Sequence, residues 1–513
     1  MNTRKRLAAM RNAGALPQAA VPLANPACVI GPGQRCEHAL VNAELNRSLY
    51  AYEEQVRGRF AAIVDTLKQL SALQHELDFV ARAQRIAMDR LGYELPTALL
   101  QDAWVAGLDL RALHAHCIFR SFKECIDHAD ADQAPWRARM ALDGEFIRAC
   151  GYHTLDVSPC ADGRLQGLLP FVLRVAPSCC IEVKAYAGVL FDVEGDVADW
   201  TRRELQRLSG GIPGGEDCNY LKVAVYHFST SNPGHEGCAA HGSNDTKATQ
   251  MALNRLDELR AAIENTYGQG AAPDVLLIGV DTDVDAIRVH LPDGEGNVNP
   301  RRYVDNAELY RETLGMSADA ARGHIEAVVD RTQQAEGWAR GRGEMSAGMH
   351  ALVLRLLEAN LSQIEYVIQH HAGRYAVIGH NERFICAGEA MSELQLRNKF
   401  YFAHLDTVEE GAADMDVGIK IFTELNIRHG LAVPILVHFH YSSRVPGARG
   451  RAVVRCKRVR AAIETRYPHL HEQGLLRCQM AVSDLHGSER CTFIEEAAAV
   501  GGALMEAWAE VAQ

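Results

Sequence analysis

Six consecutive residues, Val275-Leu-Leu-Ile-Gly-Val280, carry no polar side chain. A strand that apolar is stable only if both of its faces are covered, as in a parallel sheet flanked by helices. Upstream, Leu221-Lys-Val-Ala-Val-Tyr-His227 reads as a second strand that runs into a polar loop. Between the two, Leu256, Leu259 and Ile263 step by three and four, which predicts a helix over 254–266. Strand, helix, strand is a βαβ unit. From about Trp136 onward the chain is therefore expected to be an α/β protein.

Ahead of Trp136 the pattern is helical. Leu45, Leu49, Val56, Phe60, Ile63, Leu67 and Leu70 recur at three, four or seven residues and form one apolar face. The Leu95-Pro-Thr97 turn should break this run into at least two segments. Ala129-Asp-Ala-Asp-Gln-Ala-Pro135 reads as a linker, so a helical domain is expected over 36–135. Residues 1–35 hold Arg4, Lys5, Arg6, Arg11 and Arg35 without one acid, the makings of a flexible basic arm for an acidic partner. Near the C-terminus, Val437-His-Phe-His-Tyr-Ser-Ser443 echoes Val225-Tyr-His-Phe-Ser-Thr-Ser231, and His404-Leu-Asp406 echoes His153-Thr-Leu-Asp156. A shortened duplicate over 388–513 is expected, leaving 136–387 to the first α/β unit.

Charge and hydropathy exclude several functions. With 53 Lys+Arg against 65 Asp+Glu, the net charge of −12 argues against a general nucleic-acid binder. An uncharged apolar run of about 18 residues, enough to span a membrane, is lacking. Arg11 cuts the apolar stretch Leu7–Met10 too short for a secretion signal, so a cytosolic location is expected. In a reducing compartment the 14 cysteines are buried thiols and metal ligands rather than a disulfide scaffold.

One string concentrates the chemistry: Ser158-Pro-Cys160-Ala-Asp162-Gly-Arg164. If Cys160 binds a divalent metal, Asp162 can accept a hydrogen bond from a metal-bound water. Arg164 can pair with Asp162 and keep it ionised and off the metal. His227 at the strand end and Cys238 in Gly237-Cys-Ala-Ala-His-Gly242 complete a set of two thiolates and one imidazole. Such a set suits zinc and leaves a fourth position open. Taken singly, each of these residues reads as an ordinary core side chain; their order along the chain is what points to a metal. His235-Glu-Gly-Cys238 offers a rival imidazole, but it follows the Asn232-Pro-Gly234 turn, where the backbone has left the sheet. His227 shares a strand face with Leu221, Val223 and Val225, and sites form at the carboxyl ends of such strands. Asp281-Thr-Asp-Val-Asp285 fails as a calcium loop, having Ala286 in place of the sixth-position Gly and Pro292 in place of the twelfth-position Glu.

Cys160-x-Asp162-x-Arg164 is the signature of β-type carbonic anhydrases. The longer strings Asp156–Leu165, Ala224–Ser231, Gly237–Asp245, Leu276–Asp283, Asn360–Ile364 and Asp414–Phe422 resemble the carboxysomal shell carbonic anhydrases of α-carboxysomes, a divergent branch of that class. The resemblance spans nearly everything from Cys36 onward. It implies a helical domain, a zinc domain and a degenerate metal-free repeat, in which Glu409-Glu-Gly-Ala-Ala-Asp414 would stand where a second Cys-x-Asp-x-Arg belongs. It implies one Zn²⁺ per chain held by Cys160, His227 and Cys238, since the family's pattern also favours His227 over the His-x-x-Cys of ordinary β enzymes. It further implies Asp162 and Arg164 as catalytic groups and His380, in Gly379-His-Asn-Glu-Arg383, beside the metal as proton carrier or pocket wall. The expected reaction is reversible hydration of CO₂ to bicarbonate, supplying Rubisco inside the carboxysome, a bacterial microcompartment. Expected partners are a second copy, in a dimer or dimer-based assembly, and Rubisco or shell proteins met through the basic arm. A zinc-stabilised scaffold or shell-binding protein without significant catalysis is the alternative.

Overall fold

A computed structural model describes residues 37–494 except 102, 133–142, 177, 179, 336–341, 392–395, 406–411 and 487–490. The basic arm, residues 133–135 of the expected linker and Glu409–Gly411 lie outside the described residues. No helix among the described residues is long and apolar enough to cross a membrane.

The first region is helical, with helices Ala43–Leu73, Phe79–Leu91 and Leu110–Asp132. The expected apolar face of the first helix is buried throughout, with Tyr52 added to it. Asn42 caps its start by accepting from the Leu45 amide at 3.0 Å. The turn at Pro96 does separate the second helix from the third. An earlier break at 74–78 has no proline to announce it. The third helix continues through Ala129–Asp132, so that part of the expected linker is helical instead.

The first sheet contains β1 (Tyr152–Pro159), β2 (Ile181–Val183), β3 (Asn219–Phe228), β4 (Asp274–Asp281), β5 (Ala286–Pro292) and β6 (Val298–Asp305), in the order β2-β1-β3-β4-β5-β6. β1 to β4 run parallel, β5 runs antiparallel to β4, and β6 runs antiparallel to β5. β4 is buried from Val275 to Asp281, as its apolar run requires. Helix Asp245–Tyr267 makes the crossover from β3 to β4. Helix Ala347–His370 is buried over most of its surface. Its Asn360 Nδ2 donates to Val172 O, in the short helix Leu168–Leu173, and to Asp285 O, in the turn after β4, both at 2.8 Å. The helical region docks onto the same helix, the Asn42 amide donating to Ser362 Oγ and Asn46 Nδ2 to Ser362 O.

The second sheet contains β7 (Phe384–Gly388), β8 (Phe400–His404), β9 (Val433–Tyr441), β10 (Leu476–Asp484) and β11 (Thr492–Ile494). Its order, β8-β7-β9-β10-β11, repeats β2-β1-β3-β4-β5 strand for strand, including the one antiparallel pair at the end. A boundary at 387/388 would split β7, the strand that opens this repeat.

Hydrogen bonds fix the correspondence. The Cys160 amide donates to Val225 O and the Glu389 amide to His438 O; Tyr186 N donates to Pro159 O and Leu405 N to Gly388 O. Cys160 therefore matches Glu389, and His227 matches His440. Two sequence echoes need correction on this ground. His404-Leu-Asp406 begins at the end of β8, the counterpart of β2, not of β1. Asp414 lies in helix Ala412–Leu425, beyond β8, so Glu409–Asp414 is not the counterpart of Cys160–Arg164. The β9 echo picks the right strand but is one residue out of register, a slip that exchanges the two faces of a strand.

The sheets meet beside the first one's loops. Phe402 N donates to Ala161 O at 3.0 Å, Asn398 N to Gly163 O at 2.7 Å and His404 N to Ala185 O at 3.1 Å. The helical region packs on the second sheet, with Phe122 edge-on to Phe384 at 4.9 Å between ring centroids.

Candidate metal centre

In the first sheet, β1 has its sequence successor β2 on one side and β3 on the other. This is where open α/β sheets place their sites, outside the carboxyl ends of the strands. β1 ends directly before Cys160, and His227 is the penultimate residue of β3. Cys238 comes from the following loop, where its carbonyl accepts from His241 N and Ser243 N and so fixes the turn. The structure brings Cys160, His227 and Cys238 together, all buried, with one ligand atom of each within 4.8 Å of the others. His235 is exposed on the turn before Cys238.

The donor geometry suits zinc. The two sulfurs lie 3.8 Å apart, and tetrahedral Zn–S bonds of about 2.3 Å would set them about 3.8 Å apart. The imidazole of His227 is 0% exposed, yet neither ring nitrogen has a hydrogen-bond partner among the described residues. Buried polar atoms are seldom left so unless a ligand claims them. Cys238 beside it, together with burial, pushes the Cys160 thiol well above its usual range, so a metal must displace a proton here to bind. The Gly188 amide donates to Cys160 Sγ at 3.4 Å. Gly188 has φ +66°, and a Cβ there would lie 2.6 Å from His241 Nε2, so only glycine fits. Its neighbour Val189, also at positive φ, is strained, as backbone beside functional sites often is.

Asp162 and Arg164 form a buried fork. Arg164 Nε donates to Asp162 Oδ1 at 2.9 Å and Nη2 to Oδ2 at 2.8 Å, and the Arg164 amide donates to Oδ1 at 2.9 Å. The guanidinium is anchored further by Glu236 O at 2.6 Å and Ile378 O at 2.9 Å. Burial opposes the Asp162 charge, but Arg164, with His227 and His380, holds the carboxyl well below the usual range. Oδ2 lies 3.5 Å from His227 Nε2.

His380 reaches the same place from the segment before β7. Its Nδ1 lies 3.9 Å from Asp162 Oδ2 and 3.0 Å from Glu382 Oε1. Burial works against its charge, but Asp162 and Glu382 outweigh this and raise it to about 9. Glu382 was missed from sequence, although residues two apart on extended chain share a side and His380 was already singled out. Asp162, His380 and Glu382 also fall within metal-binding distance of one another. With both Asp162 oxygens held by Arg164, they make an ion-pair cluster rather than a cation site.

Where the second sheet has Glu389 in place of Cys160, that carboxylate accepts from His440 N and from Arg455 Nη1, each at 2.7 Å. The carboxylates of Asp281, Asp283 and Asp285 accept hydrogen bonds from Thr230, Ser229 and Tyr375.

Comparison with known proteins adds three matches to family profiles. They are Carboxysome Shell Carbonic Anhydrase N-terminal over residues 38–130, catalytic domain over 143–380 and C-terminal over 381–498. Among curated proteins, one of Halothiobacillus neapolitanus is 45% identical over 462 residues, covering 89% of this chain and 90% of its own. One of Prochlorococcus marinus is 44% identical over 453 residues, covering 87% and 86%. One of Hydrogenovibrio crunogenus is 38% identical over 455 residues, covering 87% and 84%. Each of the three is named Carboxysome shell carbonic anhydrase.

Proposed function

This chain belongs to the carboxysome shell carbonic anhydrase family, and from that premise we propose that Cys160, His227 and Cys238 hold one zinc ion at which CO₂ is reversibly hydrated to bicarbonate. The observation that carries the metal is the convergence of three buried donors, one of them a histidine whose ring nitrogens have no hydrogen-bond partner among the described residues. Zinc, when bound, supplies the Lewis acidity that brings a water's pKa from 15.7 to about 7, carbonic anhydrase being the standard case of this effect.

The chain's own residues supply positioning and charge balance. Two thiolates cancel the charge of Zn²⁺, so the charge of Asp162 is left for Arg164 to balance. Ionised Asp162 can only accept hydrogen bonds. Its Oδ2 would therefore orient the attacking oxygen by accepting a hydrogen bond from it, leaving a lone pair toward carbon. The Arg164 fork keeps the carboxylate from turning onto the metal. Exposure rises from His227 (0%) through Asp162 (3%) to His380 (23%), and His380 carries the released proton along that gradient toward solvent.

The enzyme works in the carboxysome, the compartment that the relatives' shared name gives for them. There it supplies CO₂ to Rubisco, docks on Rubisco or shell proteins through the basic arm and assembles as a dimer or dimer-based oligomer. Stopped-flow CO₂ hydration, with zinc measured on the same sample, tests the central claim. Turnover that rises with zinc occupancy is expected. A zinc-loaded protein without turnover would leave the scaffold reading in its place.

A further inference from the structure

Glu382 is 2% exposed, and burying a carboxylate is costly unless its charge is used. Its Oε1 accepts from the Gly163 amide at 3.1 Å, between Asp162 and Arg164, and lies 3.0 Å from His380 Nδ1. Oε2 has no hydrogen-bond partner among the described residues. The approach to Gly163 is so close that a Cβ there would lie 2.5 Å from Glu382 Cγ. The glycine inside Cys160-x-Asp162-Gly-Arg164 is thus what admits a carboxylate from 219 residues away.

We propose that Glu382 is a positioning residue that locks His380 with Nδ1–H turned inward and Nε2 free as the proton-exchange atom of the site. A histidine's working nitrogen is set by what the other one binds, and here a buried carboxylate takes Nδ1. This rests on the zinc reading above, because hydration is the step that releases a proton. CO₂ and water form one C–O bond and break one O–H bond, giving bicarbonate and a proton. The His380 cation gives its Nε2 proton to a buffer base, and the vacated Nε2 then takes up the proton released by hydration. The charged groups facing His380 are Asp162 and Glu382, which favour its cation, and Arg164, which opposes it. Glu236 lies 3.7 Å from Arg164 on the far side of that guanidinium. The same carboxylate pins the Asp162–Arg164 loop, so one side chain sets both the group that orients the nucleophile and the group that exports the proton.

The test uses full-length protein with Glu382→Gln, Glu382→Asp, His380→Ala and the Gln/Ala double variant, each assayed for zinc. In weak buffer, Glu382→Gln should lower kcat about tenfold or more, with a smaller change in kcat/KM. Added imidazole should restore kcat, and Glu382→Asp should retain more of it. In the His380→Ala background, Glu382→Gln should cost less than about twofold, since positioning acts only through the ring. Site-resolved carbethoxylation by diethyl pyrocarbonate should modify His380 several-fold faster at pH 7 in Glu382→Gln, because the ring loses its anionic neighbour. Wild-type buffer dependence in Glu382→Gln would overturn the proposal. So would equal losses of kcat and kcat/KM without rescue, or an undiminished effect in the His380→Ala background. Carbethoxylation reads the Glu382–His380 pair with or without metal, so a wild-type protein lacking zinc or turnover would sink the zinc reading alone.

Discussion

Replacing His227 by Ala should cost the protein its metal, whereas replacing His235 should not. Structural zinc sites bind with roughly 10–16 kcal/mol, so one of four ligand positions is worth about 2.5–4 kcal/mol. Losing one imidazole should then weaken zinc binding about 10²–10³-fold. The buried ring nitrogens of His227 have no hydrogen-bond partner among the described residues, so its removal breaks no hydrogen bond there. His235 is exposed and stands apart from the donor cluster. The assay is competition with a chromophoric chelator at pH 7.5, with total zinc by elemental analysis and sedimentation to check folding. Thermal melts give a second reading, because a ligand at 100 times its Kd stabilises by about 2.7 kcal/mol, and His227→Ala should lose that zinc-dependent increment. Retention of stoichiometric zinc by folded His227→Ala, with loss in His235→Ala, would refute the placement of the centre at the strand ends.

Asp162→Asn should keep zinc yet lower hydration about 10²–10³-fold, because the amide can turn a donor toward the nucleophile. It should also lower stability by about 3–5 kcal/mol in chemical denaturation, since Arg164 stays buried without its counter-charge; unchanged turnover would remove the orienting role. Burial opposes the charge of Glu53, but His371, Tyr366 and Arg397 hold its pKa at about 2, against an unfolded value of 4.5. Its contribution, about 3 kcal/mol by linkage, is present above pH 4.5 and lost as pH falls toward 2. Glu53→Gln should accordingly unfold more easily at pH 7 and converge on wild type in acid; parallel stability curves would contradict this. Deleting residues 1–35 should leave CO₂ hydration in solution intact and weaken binding to Rubisco, and salt should weaken that binding in the full chain. Binding measured by interferometry that is indifferent to the deletion would discard the docking role.

Much of the architecture was legible because burial writes a period into the chain. The apolar run of β4, the 254–266 helix and the stripe from Leu45 to Leu70 each need only local geometry and a covered face. Asp162 and Arg164 were legible for the same reason: two residues apart, they close their fork within one turn of backbone. His227 could be preferred over His235 because side chains alternate along a strand and turns leave the sheet.

Pairing between distant segments was not legible. Ladder hydrogen bonds join backbone atoms that are alike at every residue, so identity does not say which strand, or which register, is chosen. For that reason the echo falls on the correct strand for β9 but a residue out of step, and the counterpart of Cys160 is expected twenty residues too late, at Glu409 instead of Glu389. Glu382 escaped for a related reason, since a carboxylate's meaning depends on what faces it, and Gly163 lies 219 positions away. The amino-acid sequence by itself determined which faces are buried and which short motif carries charge and thiol. The tertiary structure alone decided that β1, β3, the Cys238 loop and the segment before β7 converge on one buried cluster of side chains, because only packing sets the distances at which charges and lone pairs act.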